Sequence, residues 1–179
     1  MHLLRAAGRG AVAGTVATLA MSVPMLAASR LGLISRQAPE QITDRVLQRM
    51  GWARGVQSET ARDTLAAGNH LAFGAIGGVC FALLARRVPR SVPPVAAGIA
   101  YALLIWTVSY AGWTPALRLM PPPEEDEPAR PVLMVVAHVV YGAVLGALTP
   151  GRATTVDRAV PAQRADQAQR AAAPVAVSP

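Results

Sequence analysis

Two apolar runs in this chain open on one pattern: His70-Leu71-Ala72-Phe73-Gly74-Ala75-Ile76-Gly77-Gly78, and later His138-Val139-Val140-Tyr141-Gly142-Ala143-Val144-Leu145-Gly146. On a helix the histidine, the aromatic three residues on and the glycines four and eight residues on share one face, because side chains three and four apart are neighbours. A small, polar face inside a long apolar run is suited to meeting another helix. The pattern therefore commits the chain to a bundle of closely approaching membrane helices.

The rest of the chain supplies the partners. Residues 10–34 form an apolar run without charge until Arg30, long enough to cross a hydrocarbon core of about 30 Å. Gly10, Gly14 and Thr18 give it small-xxx-small spacing, and Pro24 predicts a kink. The basic start and the Ala27-Ala28-Ser29 stretch also fit a cleavable leader; a retained helix is the expectation. Further spans are predicted over about 64–84, 95–113 and 131–148, with Pro93 and Pro94 opening the third. The last holds nine Val or Leu residues, together worth about −3 to −5 kcal/mol for insertion, which one neutral imidazole does not overturn.

Between the first two spans, residues 41–52 place Ile42, Val46, Leu47 and Met50 on one helical face, an extramembrane amphipathic helix. It can lie on the membrane surface beside Trp52 or fold over the bundle mouth, and periodicity alone leaves both open. Thr60 and Asp63 have capping-box spacing for the helix that follows. The loop from Ala116 to Arg130, with its Pro-Pro-Pro-Glu-Glu-Asp-Glu-Pro run, is too charged for lipid and is expected to be solvated. The reading is thus an all-α, four-helix transmembrane domain over residues 1–150, followed by a disordered tail over 151–179.

Charge fixes an expected orientation. All 17 basic residues are arginine, and the net charge of +7 would suit nucleic acid, but the arginines flank apolar runs instead of clustering with aromatics, so a nucleic-acid partner is not expected. Arg5, Arg9, Arg86, Arg87, Arg90, Arg152 and Arg158 collect on one side. Arg30, Arg36, Arg118 and Arg130, mixed with Glu124 to Glu127, collect on the other. Both termini are then cytoplasmic, in the plasma membrane of a bacterium. The lone Cys80 excludes a disulfide within the chain and, with Met21 and Met25, reads as a packing residue.

The two halves correspond twice over: His70 with His138 at one offset, and Ala13-Gly14 with Ala97-Gly98 and Pro39-Glu40 with Pro123-Glu124 at another. Two helix pairs repeated without inversion imply an approximate two-fold axis along the membrane normal. With the Ala13-Gly14 helix, Pro39, His70, Ala97-Gly98, Thr114-Pro115 and His138 in this order, the chain resembles the YagU-like family of small bacterial inner-membrane proteins. The resemblance implies an integral plasma-membrane protein and brings no catalytic residues.

Three groups of residues are singled out. Gly10, Gly14, Gly74, Gly78, Gly98, Gly142 and Gly146 are helix-packing positions; His70, His138 and Tyr141 are intramembrane polar candidates. The histidines can bond a neighbouring helix, carry protons or a small solute, or hold a metal or haem. Glu124 to Glu127 can collect a cation but read as solvated loop. No nucleophile elbow, phosphate loop, zinc-helix motif or dinucleotide fingerprint is present, so no catalytic residue, metal or cofactor is assigned. The expected activity is that of a non-enzymatic structural or partner-binding component, with lipid, a second copy or another membrane protein as partner, and a small transporter or channel as the alternative. In a Cys80→Ala background, cysteines placed at Arg86 and Arg152 are expected to be shielded from an impermeant thiol reagent in intact cells, and one at Glu125 labelled. Labelling at Arg86 and Arg152 from opposite sides overturns the topology.

Overall fold

A computed structural model describes residues 2–56 and 58–149, and all regular structure among them is helical. Four helical segments are long and apolar enough to cross a membrane. They are α1 (His2–Arg30), α3 (Glu59–Leu84), α4 (Pro94–Val108) with its continuation, and α6 (Arg130–Leu148). The fifth long helix, α2 (Ala38–Arg49), stands between the first two spans, and α4 runs on through a π turn at Ser109–Trp113 into the short α5 (Thr114–Ala116). The tail predicted over 151–179 lies outside the described residues.

Local chemistry sets the ends. Gly32, at φ 71°, lets α1 close in a Schellman turn, with Leu33 N–H on Ala28 O at 2.9 Å and Gly32 N–H on Ser29 O at 3.1 Å. The chain thus leaves the helix at Arg30 and turns back over the bundle. At the start of α3 the cap is Ser58, whose extended backbone lets its hydroxyl accept from Ala61 N–H at 3.4 Å. The predicted capping pair Thr60 and Asp63 already lies inside the helix. In the α4 continuation, Pro115 has no N–H to donate and its ring presses on the preceding turn. The helix widens there, Thr114 N–H reaching Ser109 O.

The bundle is fastened along two glycine seams. In the α1–α3 pair, a Cβ at Gly14 would collide with Gly74 O and stand 2.9 Å from Gly78 Cα, and one at Gly10 would stand 2.5 Å from Gly78 O. In the α4–α6 pair, a Cβ at Gly142 would stand 2.5 Å from Gly98 O and 2.6 Å from Ile99 Cα, and one at Gly146 would stand 2.8 Å from Val95 Cα. Backbone meets backbone at both places, which only glycine permits. All seven glycines named from the sequence lie in these seams, and the contacts they make are within one chain.

The two pairs meet unequally. α1 packs closely along α6, where the fully buried Ala17, Ala137 and Leu145 belong to the main core. α3 and α4 stand further apart, joined by Tyr101 OH donating to Gly77 O at 2.9 Å and by the Phe81–Tyr101 ring contact at 5.2 Å. Met21 and Met25 are buried in the core as expected, but Cys80 is exposed on the outer face of α3 and packs no core. Substituting Gly14 or Gly98 by alanine is expected to cost about 1–3 kcal/mol of stability in detergent through overpacking. Gly68→Ala, where a Cβ meets nothing within 4 Å, is expected to be neutral or slightly stabilising. Equal responses at all three positions in a thermal-unfolding series would remove the seams as the tight points.

Candidate functional site

Where α3 and α4 diverge, the bundle holds a partly open cavity of about 550 Å³, with α2 as its roof. Of the two placements the sequence left open for α2, the structure has the cap: Ala38, Thr43 and Leu47 are buried, and Ile42, Val46 and Leu47 line the space beneath. The other walls are Thr18 to Met25 of α1, Leu65 to Gly74 of α3, Ile105 to Thr114 of α4 and its π turn, and Met134 to Tyr141 of α6. No lining residue lies nearer the α3–α4 loop than Thr18, Gly74, Ile105 and Tyr141, so the cavity is blind at the glycine seams. No Asp, Glu, Lys or Arg lines it; its walls are thioether, aromatic and aliphatic, with a few neutral polar groups.

The structure brings His70 and His138 onto the wall of this one cavity. Nδ1 of His138 lies 2.7 Å from Met134 O. That carbonyl can only accept, so Nδ1 carries the hydrogen and the neutral ring keeps its lone pair on Nε2. Tyr141, the third predicted polar candidate, donates its hydroxyl to Gly74 O at 2.8 Å and thereby ties α6 to α3 at the cavity floor. Its counterpart Phe73 has no hydroxyl to anchor and is 49% exposed, whereas Tyr141 is 4% exposed. Among the described residues no group of three or more His, Cys, Asp and Glu could hold a metal.

The roof is held down by charge. Arg130, the first residue of α6, is 1% exposed and pairs with Asp126 Oδ1 and Glu127 Oε2, both at 2.8 Å. It also donates to Arg36 O in the loop before α2. Tyr110 OH donates to the second oxygen of Asp126 at 2.8 Å, which leaves that carboxylate fully partnered. Glu127 accepts from Ser35 N–H at 3.1 Å and from the Ser35 hydroxyl. On the far side of α2, Asp44 pairs with Arg36 at 2.8 Å and with Arg62 of α3 at 3.8 Å. This corrects the expectation of a wholly solvated acidic loop: Glu124 and Glu125 are exposed, but Asp126 has 4% of its side chain accessible, because a buried guanidinium needs carboxylates around it.

Asn69, Ser109, Met120 and Met134 also reach the cavity and were not singled out from the sequence, and Trp113, which the sequence suits to an interfacial aromatic belt, lines it as well. Thr114-Pro115 was the available signal for the π turn that delivers Ser109 and Trp113, since proline inside an apolar run forces such a widening. The i, i+4 spacing of Asp126 and Arg130 was the signal for the roof clamp. In comparisons with known proteins, the model of a family of unknown function (DUF6789) matches residues 4–159, a stretch that includes all of the cavity's lining residues. No curated protein and no solved structure matches the chain.

The Ser35 hydroxyl, then the Ser35 amide, and the Arg130 guanidinium hold the Glu127 carboxyl below its ordinary value. A carboxyl lowered by folding contributes stability above its unfolded pKa of about 4.3 and loses it as the pH falls through the folded value. Thermal stability in detergent is therefore expected to drop on acidification below about pH 4, with a shallower drop in Glu127→Gln. An identical acid profile in that variant would exclude the Ser35–Glu127 link as a pH-sensitive fastening of the roof.

Proposed function

We propose, for a chain that belongs to the family of unknown function DUF6789, that it is a non-catalytic integral membrane protein which holds one small, uncharged, lipid-soluble molecule beneath α2. The observation that carries this reading is the cavity lining: about 550 Å³, free of charged side chains and walled by methionine and aromatic groups around two histidines. That volume falls within the range of about 300–1,000 Å³ typical of small-molecule sites, and an apolar wall with a few neutral polar groups is their usual chemistry. The blind floor supports binding over conduction, because a path for protons or solute needs a wetted lining that continues to the opposite face.

Other features support the setting. The four apolar segments suit an integral protein, and the arginine distribution favours a bacterial plasma membrane with both termini in the cytoplasm. The likeness to the YagU-like family is consistent with that placement. Matching glycine contacts in the α1–α3 and α4–α6 pairs favour descent of the two halves from one helix pair. The contacts of α1 with both α3 and α6 favour its retention in the mature protein.

Native mass spectrometry of the protein extracted from its own membranes in mild detergent is expected to show a noncovalent small-molecule adduct. Ser109→Phe, which fills the space from the π turn, is expected to lose that adduct and keep its fold. An adduct unaffected by the substitution would place any bound molecule outside the cavity, against this reading.

A further inference from the structure

We infer that the polar end of the bound molecule is a hydroxyl group that donates to His138; this deepens the binding reading above and rests on it. The inference comes from the hydrogen-bonding state of the groups that line the cavity, and of His138 above all. Several hydroxyls on the wall have already donated theirs, Thr18 to Gly14 O at 2.8 Å, Ser109 to Ile105 O at 2.7 Å and Thr114 to Ser109 O at 2.8 Å, whereas Thr43, the Gln37 and Asn69 amides and the Trp52 and Trp113 indoles keep hydrogens to give. Tyr110 and Tyr141 have donated likewise, to Asp126 and to Gly74 O, each at 2.8 Å. What the committed hydroxyls still offer is lone pairs.

His138 adds another. Its Nδ1–H is held by Met134 O, so only the unprotonated Nε2 is left to meet a ligand. The buried side-chain nitrogens and oxygens without a partner, among the described residues, are Asp44 Oδ1, Trp106 Nε1 and Thr149 Oγ1. His138 Nε2 is not one of them, so it reaches accessible space, and the space its side chain lines is the cavity. His70 has no hydrogen-bond partner among the described residues, and its neutral ring carries one N–H able to donate.

A head group that only accepts can bond the donors of the wall but leaves Nε2 of His138 without a hydrogen, and an acceptor left unpaired away from water weakens binding. Ketones, ethers and esters are disfavoured on this ground. An ammonium brings hydrogens, but no carboxylate lines the cavity to stabilise its charge, and a carboxylate ligand meets no Lys or Arg there. A hydroxyl donates to His138 Nε2 and keeps its own lone pairs for the donors of the wall, His70 among them, without a net charge. The Trp52, Phe73 and Trp113 rings and the Met21, Met25 and Met134 thioethers suit a ringed apolar body behind it. The ligand class is thus a lipophilic phenol or alcohol.

The test uses a matched pair of probes, 4-octylphenol and its methyl ether 4-octylanisole, titrated against the full chain in detergent while thermal unfolding is followed by tryptophan fluorescence. The phenol is expected to stabilise at concentrations about tenfold or more below the ether, since an unpaired buried acceptor weakens the ether complex. In His138→Phe the two probes are expected to act alike. Equal potency on the unsubstituted protein overturns the hydroxyl assignment and leaves the binding reading standing. Absence of a shift with either probe overturns both. The probe pair on the unsubstituted chain decides the matter even if His138→Phe does not fold.

Discussion

The constraint on which this structure depends is the approach of backbone to backbone at Gly14–Gly74–Gly78 and at Gly98–Gly142–Gly146. In lipid, helices gain nothing from hiding apolar surface from one another, since the surrounding tails are as apolar as leucine. Association then rests on dispersion and on weak contacts between Cα–H and carbonyl groups, both of which need close approach. Glycine at four-residue spacing provides a flat strip along which two helices can settle. Each seam makes a stiff pair, and the rest of the fold concerns how two stiff pairs meet.

They meet along one edge and part along the other. α1 and α6 close through small side chains, while α3 and α4 touch mainly at Tyr101 and Phe81, toward the end remote from α2. The wedge between them is filled from above by α2 and incompletely from within, which leaves the cavity. Tyr141 bridges the floor by bonding the carbonyl of Gly74, an atom left reachable because its residue has no side chain. A buried arginine paired with a buried carboxylate is a costly way to fasten a roof, since Arg130 and Asp126 both give up their hydration. Here the carboxylates come from the loop before α6 and the carbonyl of Arg36 from the loop before α2, so the cluster fixes where α2 sits as well as that it sits.

The chemistry of the site follows from this arrangement. Charge is gathered outside the cavity, in the clamp of Arg130, Asp126 and Glu127, and on the far face of α2. Inside, the polar groups are neutral, and the hydroxyls of Thr18 and Ser109 are committed to backbone carbonyls, because a hydroxyl in a low-dielectric helix finds its own preceding turn first. The two imidazoles keep capacity to spare. One has its tautomer set by Met134, and the other has no partner among the described residues. A bundle with this interior is suited to holding a neutral amphiphile by one end.

The sequence by itself determined the parts. Apolar length located four spans, glycine spacing identified the faces that press together, and the 3.6-residue stripe from Ile42 to Leu47 revealed a fifth helix outside them. These are local properties, written in composition and period. His70, His138 and Tyr141 were visible because polar atoms are rare in such runs, yet nothing in the runs said that both histidines face one space. Only the tertiary structure decided that, along with the burial of Arg130 and Asp126 and the outward turn of Cys80. The physical reason is that a cavity, like a roof clamp, is a relation among residues of several helices. It depends on the unequal spacing of α1–α6 and α3–α4, and no single helix carries that spacing in its own sequence.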